Sequence, residues 1–340
     1  MQHIFLESHN IKNQHFGFGQ FNYHLIKGLY NANIEDFKIT LHAKDIDALK
    51  DEFGTYFKYK KYYSLRRHKA FRIRKKYDLW HCLNQNIKIE PYHDMPYLLT
   101  VHDVNFIDEV SNDLNHERNI KFQNKLNRSS AITYISEYAK QSTHQYFKVP
   151  DVPEYVIYNG NPIIDIEITE NHQPKITPKK PYLFSIGEFT ERKNFHALVE
   201  MLVHLPDYNL ILSGNNNTAY AQGELQETIK KLKLENRVII TGKISELDKQ
   251  YYMQNCDAFV FPSLREGFGI PPIEAMRFGK PVFLSNNTSL PEIGGEHAFY
   301  WNHYDPNYMS EILKEGLNTF NKNKAELSQN YINHAKSFNW

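Results

Sequence analysis

Short apolar runs alternate with helix-period segments from one end of this chain to the other. In the first half the runs are His3–Leu6, Ile39–Leu41, Leu79–Leu83, Tyr97–Val101 and Ala131–Ile135. In the second half they are Tyr182–Ile186, Leu210–Leu212, Val238–Ile240, Ala258–Phe261 and Pro281–Leu284. Amphipathic stretches such as Gln20–Leu29, Phe195–Leu205, Gly223–Leu234 and Ile270–Phe278 lie between them. Strand followed by helix, repeated, builds parallel sheets covered on both faces, so the fold class is α/β with doubly wound, Rossmann-like domains. Val156–Tyr158 reads as the last strand of the first series. Asn159-Gly160-Asn161-Pro162 and a polar stretch with Pro174, Pro178 and Pro181 follow it, which marks a boundary near residues 162–180. The expected division is 1–165, 166–325 and a terminal helical segment, 326–340. No repeat of about 20–50 residues is present, which argues against a solenoid. In doubly wound sheets ligands bind at the carboxyl ends of the strands.

Composition narrows the class. The 340 residues are 41% hydrophobic, enough for packed cores and against a disordered chain. Cys82 and Cys256 cannot build a disulfide framework and have no metal-ligand spacing, which fits a reducing, cytoplasmic setting. No apolar run approaches the length of a membrane span, and MQHIFLESHN lacks the pattern of a signal peptide.

The formal net charge of +1 hides one local extreme. Lys58, Lys60, Lys61, Arg66, Arg67, Lys69, Arg72, Arg74, Lys75 and Lys76 follow one another with no acid between them, and without these ten charges the chain stands at −9. Phe57, Tyr59, Tyr62, Tyr63, Leu65, Phe71 and Ile73 are interleaved. A basic, aromatic face of this kind suits an anionic membrane surface or nucleic acid; the plain alternative is a solvated helix face.

The segment Cys256–Met276 carries the most chemistry. An apolar strand ends at Phe261, a loop contains Gly267-Phe268-Gly269, and Pro271-Pro272 suit a first helical turn. Glu266 therefore lies in a loop after a strand and Glu274 about one turn into a helix. Two carboxylates so spaced can reach into one cleft and grip hydroxyl groups. Ser185–Phe195 places Arg192 and Lys193 at a strand–helix junction, where they can hold a diphosphate, with Asn194 as the expected N-cap. Ser289 and Glu292 match a capping box before the helix that starts at Leu290. His102-Asp103 follows the run Tyr97–Val101. Gly17-Phe18-Gly19, preceded by His15-Phe16, lies between the first strand and Gln20–Leu29. Gly242-Lys243-Ile244 follows Val238–Ile240. Asp45-Ile46-Asp47 matches a D-x-D pattern but is expected to start a helix.

The Glu266–Glu274 segment resembles the E-x7-E signature of retaining glycosyltransferases with the GT-B fold, glycosyltransferase family 4, and the resemblance covers nearly the whole chain. It implies two Rossmann-like domains around a cleft, a nucleotide-sugar donor as substrate, and no bound metal or other cofactor. By position, Glu266 would contact the donor sugar, Glu274 the nucleotide ribose, and Arg192 and Lys193 the diphosphate. Gly17, Gly19, Gly267, Phe268, Gly269, Ser289 and Leu290 match the donor-binding loops, and Lys243 and Ile244 the stretch against the nucleobase. Leu99-Thr100-Val101-His102-Asp103 is similar to the family's active-site histidine motif. Glu188 departs from the pattern, because many members carry a basic residue there. Members also commonly continue past a Phe-x-Trp such as Phe338-Asn339-Trp340 into a further helix. The Glu-Gly-Phe-Gly-Ile-Pro-Pro-Ile-Glu-Ala-Met string looks most like mannosyltransferases.

The resemblance thus implies transfer of a hexose, with mannose as the first guess, to a glycan or lipid-linked glycan in cell-surface polysaccharide synthesis. The expected location is cytoplasmic, peripheral on the inner face of the plasma membrane through residues 58–76, with no nucleic acid bound. Two alternatives stay open: a GT-B sugar-nucleotide epimerase, and a non-catalytic protein that binds nucleotide or nucleic acid.

Overall fold

A computed structural model describes residues 1–12, 17–163, 165–166, 168–169, 172–177 and 181–340. His15 and Phe16 lie outside the described residues. Two compact units are present: residues 1–162 with Trp340, and residues 163–339. The division falls three residues before the expected one. The terminal helix Lys324–Ser337 is part of the second unit, because its Tyr331 and Ala335 are buried in that unit's core.

The first unit is a seven-stranded sheet, all parallel in its pairings, in the order β3-β2-β1-β4-β5-β6-β7. Its strands are β1 Gln2–Glu7, β2 Phe37–Ala43, β3 Lys58–Lys61, β4 Leu79–Cys82, β5 Tyr97–Val101, β6 Ala131–Tyr134 and β7 Glu154–Val156. Phe5, Leu41, Trp80, Leu99 and Ile132 are buried on these strands, with Phe5 stacked on Trp80 at 4.0 Å between ring centres. The second unit is a six-stranded parallel sheet in the order β10-β9-β8-β11-β12-β13. It contains β8 Tyr182–Ile186, β9 Asn209–Ser213, β10 Val238–Gly242, β11 Ala258–Phe261, β12 Val282–Ser285 and β13 Phe299–Trp301. Leu183, Leu210, Val260 and Phe283 anchor the core on one face of it, and Phe184, Ile211, Phe259 and Leu284 that on the other. Burial on both faces is why these strands read as continuous apolar runs. Both orders reverse beside the first strand, so each sheet has a switch point: between β1 and β4, and between β8 and β11.

Three expectations change here, and the plain alternative of a helix face for the basic run 58–76 is not what forms. Lys58–Lys61 is an edge strand paired with β2, and two 3-10 turns, Ser64–Arg67 and Lys69–Phe71, follow it. The last strand of the first unit starts two residues earlier than read, at Glu154, since Ile132 and Tyr134 pair with Glu154 and Val156. Gly17 and Gly19 lie in the first turn of helix Gly17–Asn31, not in a loop before it. The helix after Gly223 is broken: Ala221–Leu225 is a π turn and Gln226–Lys231 is α-helical.

Candidate active site

The switch point of the second unit gathers the charged residues that the sequence singled out. β8 ends at Ile186 and leads through Gly187 to the 3-10 turn Glu191–Lys193. β11 ends at Phe261 and leads to Ser263 and Glu266. Adjacent parallel strands thus deliver both loops to the same edge. The Lys193 ammonium lies 2.5 Å from Glu266 Oε1, and Arg192 Nη1 lies 3.3 Å from Glu266 Oε2. Ser263 Oγ donates to Glu266 Oε1 at 2.6 Å, and Arg192 also donates to the Arg265 carbonyl at 2.6 Å. Lys193 is buried and lies over the Phe261 ring, 4.6 Å from its centre. Burial works against the Glu266 charge, but Lys193 and Arg192 outweigh it and hold the carboxyl below its usual range. Burial lowers Lys193, opposed by Glu266. The cluster is therefore an ionised carboxylate between two cations, a place where an anion of higher charge can compete for the cations.

Two glycines make this packing possible. Gly214 has φ +132°, and a Cβ there would lie 1.8 Å from the Gly187 carbonyl oxygen. Gly269 has φ +108° and caps the helix Ile270–Met276, whose first turn holds Pro271 and Pro272. A side chain at Gly269 would begin 2.8 Å from Leu290. Ser289 Oγ donates to the carbonyls of Glu266 at 3.0 Å and Phe268 at 2.8 Å, so the two loops are tied together.

Glu274 is buried elsewhere in the same unit. Lys249, on helix Glu246–Asn255, donates to Glu274 Oε1 at 2.6 Å and lies 2.8 Å from Glu246. Burial raises the Glu274 carboxyl, opposed by Lys249. The two signature glutamates thus have separate cationic partners. Lys249 was missed because its partner lies across a strand and a loop, with no local pattern to mark it. Ser263 and Gly214 were missed likewise. Lys243 is exposed, and Ile244 packs against the second unit's core.

Capping differs from expectation. Asn194 sits in the left-handed region at φ 56° and makes no side-chain cap. Ser289 does not cap the helix Leu290–Gly294, because its hydroxyl serves Glu266 and Phe268. The Leu290 amide donates to the Asn287 carbonyl at 3.2 Å. Asp45, by contrast, accepts from the Ala48 amide and caps Ile46–Phe53 as expected. Glu188 accepts from the Asn215 side chain at 3.5 Å.

In the first unit His102 follows β5 and is buried, with Phe18 and Phe21 edge-on to its ring at 4.9 and 4.6 Å. Gly19 is buried in the same helix turn as Phe18. His102 Nε2 lies 2.9 Å from the Leu83 carbonyl, which can only accept, so Nε2 carries the proton. Burial lowers its pKa to about 4, and the neutral ring leaves Nδ1 as an acceptor. Among the described residues no group of three or more His, Cys, Asp or Glu could hold a metal ion, and no helix is long and apolar enough to cross a membrane.

Solved proteins share this architecture. The chain is similar to sucrose-phosphate synthase from Thermosynechococcus elongatus, with a TM-score of 0.74 at 19% identity, covering 100% of this chain and 96% of that one. It is similar to Anabaena Alr3699/HepE, solved in complex with UDP and glucose, with a TM-score of 0.70 at 19% identity and the same coverage. The fold is GT-B. The chain belongs to the family of glycosyl transferases group 1, whose profile matches residues 167–338. It is 28% identical over 236 residues to the serotype-specific mannosyltransferase WbdA of Escherichia coli, across 64% of this chain and 28% of WbdA. It is 28% identical over 243 residues to the O-antigen chain mannosyltransferase RfbU of Salmonella typhimurium, across 68% of this chain and 65% of RfbU. The chain therefore spans only part of these relatives.

Proposed function

We propose that this chain is a retaining, metal-independent glycosyltransferase. It moves a hexose, mannose first among candidates, from a nucleotide sugar to a glycan or lipid-linked glycan in cell-surface polysaccharide synthesis. The cluster of Arg192, Lys193 and Glu266 at the β8–β11 switch point carries this reading. Likeness to WbdA and RfbU supports mannose, and GDP-mannose is the donor to test first.

In the proposed reaction the donor diphosphate takes Arg192 and Lys193 from Glu266. The freed carboxylate accepts hydrogen bonds from the sugar hydroxyls, and Glu274 accepts from the ribose. The acceptor hydroxyl oxygen bonds to the anomeric carbon on the face from which the diphosphate leaves. The carbon–oxygen bond to phosphate breaks, its electron pair goes to the diphosphate, and the acceptor proton passes to that departing oxygen. Arg192 and Lys193 stabilise the charge that develops there. His102 Nδ1, unprotonated, accepts a hydrogen bond from a hydroxyl rather than donating one. Incubation with GDP-mannose, with and without an acceptor glycan, tests this. An acceptor-dependent α-linked product supports it, and an epimer or free sugar formed without acceptor contradicts it.

The first unit docks on an anionic membrane in this proposal. Tyr63, Leu65 and Phe71 are each more than half exposed, and Arg67, Lys69, Arg74, Lys75 and Lys76 surround them in sequence. Arg66 is not free for that role, because it donates to the Lys61 carbonyl and to His42. Tyr62 is half-buried and stacks on His9 at 4.4 Å.

A further inference from the structure

Glu7 ends β1 at the switch point of the first unit and is completely buried. Its carboxylate holds two histidines: His42 Nδ1 at 2.5 Å and His9 Nδ1 at 2.8 Å. On its far side His42 Nε2 lies 2.9 Å from Arg66 Nη1. A guanidinium only donates, so His42 Nε2 accepts, Nδ1 carries the proton, and the ring is neutral. Arg66 also donates to the Lys61 carbonyl at 2.8 Å. One buried carboxylate thus fixes the backbone at the carboxyl ends of three neighbouring strands.

Each of those ends presents a lysine. The turn His9–Lys12 follows β1, Lys44 follows β2, and Lys61 ends β3. These three line a cavity of about 600 Å³ with Asp45, Ile46, Asp47 and Lys50. Asp45 is engaged by the Ala48 amide at 3.2 Å, and Asp47 faces Lys50 at 3.6 Å. Four ammonium groups against two carboxylates leave an excess of two positive charges. The buried Glu7–His42–Arg66 frame holds the strand ends in place, and the four exposed ammonium groups they gather in one cup give it a positive potential that attracts an anion.

We propose that this cup is a second anion site, which takes a terminal phosphate or a diphosphate. The charge excess matches a dianion, and strong acceptor oxygens suit several ammonium donors at once. Assigning that phosphate to the acceptor substrate rests on the transferase reading above; the anion site itself does not. The phosphate comes either from a soluble compound or from a lipid headgroup.

Calorimetric titration of inorganic pyrophosphate into the full chain tests the site. The double variant Lys44→Gln with Lys61→Gln should bind at least tenfold more weakly at one site per chain, with unchanged thermal unfolding, since both side chains are exposed. An isotherm that the double variant leaves unchanged overturns the proposal. Vesicles with phosphatidic acid, which has a terminal phosphate, and with phosphatidylglycerol, which has none, separate the sources. Preference for phosphatidic acid that the variant loses assigns a lipid phosphate. Equal binding of both vesicles by both proteins, with pyrophosphate still weakened at one site in the variant and retained at Arg192 and Lys193, assigns a soluble one. A chain that binds pyrophosphate through Lys44 and Lys61 but transfers no sugar keeps this site and loses the transferase reading.

Discussion

Glu266 neutralises two cations in a mostly buried position, and its removal takes away the ion-pair partner of Lys193. Breaking one side of a buried pair costs about 3–5 kcal/mol, so Glu266→Ala should lower the urea midpoint as well as abolish transfer. Full turnover in that variant would remove Glu266 from the site. Glu274→Ala should weaken nucleotide binding by about 1.5–3 kcal/mol, the value of a hydrogen bond to a charged group, and calorimetry reads it. His102 is buried and His81 half-buried, and desolvation lowers each pKa to about 4 from 6.5. The unfolded chain binds these protons first, so their contribution to stability is complete above pH 6.5 and is lost as pH falls toward 4. His102→Phe should flatten the rise of unfolding free energy with pH across that window; an unchanged slope would mean that His102 titrates normally. Glu266, Arg192 and Lys193 were legible because each lies within a few residues of an apolar run that ends in a loop. Lys249, Glu7 and His42 were not, since their partners meet only through sheet order or helix packing.

Among the elements, strands buried on both faces announced themselves as apolar runs, and eleven of the thirteen strands were read with small shifts. β3 is Lys-Tyr-Lys-Lys at a sheet edge, where one neighbour and open solvent permit a charged strand. β13, Phe299–Trp301, was passed over although Ala298-Phe299-Tyr300-Trp301 is as apolar and as long as runs that were read. Capping signals misled where a hydroxyl had a tertiary use, as at Ser289. Loop glycines carry a testable load: Gly214→Ala meets both a positive φ and the Gly187 carbonyl. The backbone conformation alone costs about 1–3 kcal/mol, and the clash adds to it, so a urea midpoint like that of the unchanged chain would show that the β8 and β9 loops can move apart.

At the scale of the whole molecule, the exposed basic and aromatic turns after β3 should hold the protein on anionic vesicles. Each engaged lysine or arginine contributes about 1 kcal/mol near such a surface, and salt screens it. Replacing Arg67, Lys69, Lys75 and Lys76 with Ser should abolish co-sedimentation with phosphatidylglycerol vesicles at low salt; equal binding to neutral vesicles would reduce the run to a solvated edge. A steep, salt-dependent shift of RNA or DNA would instead point to nucleic acid. Transfer should also survive EDTA if, as proposed, Arg192 and Lys193 supply the positive charge at the diphosphate; activity lost with EDTA and restored by Mg²⁺ or Mn²⁺ would contradict this.

Titration of GDP and UDP into the unchanged chain and into Arg192→Gln reaches the centre of the account. One of the two nucleotides should bind, and loss of a charged hydrogen bond, about 1.5–3 kcal/mol, should weaken it roughly ten- to a hundredfold in the variant. Equal affinity in both proteins, or binding of neither nucleotide, would contradict a diphosphate site built on Arg192, Lys193 and Glu266.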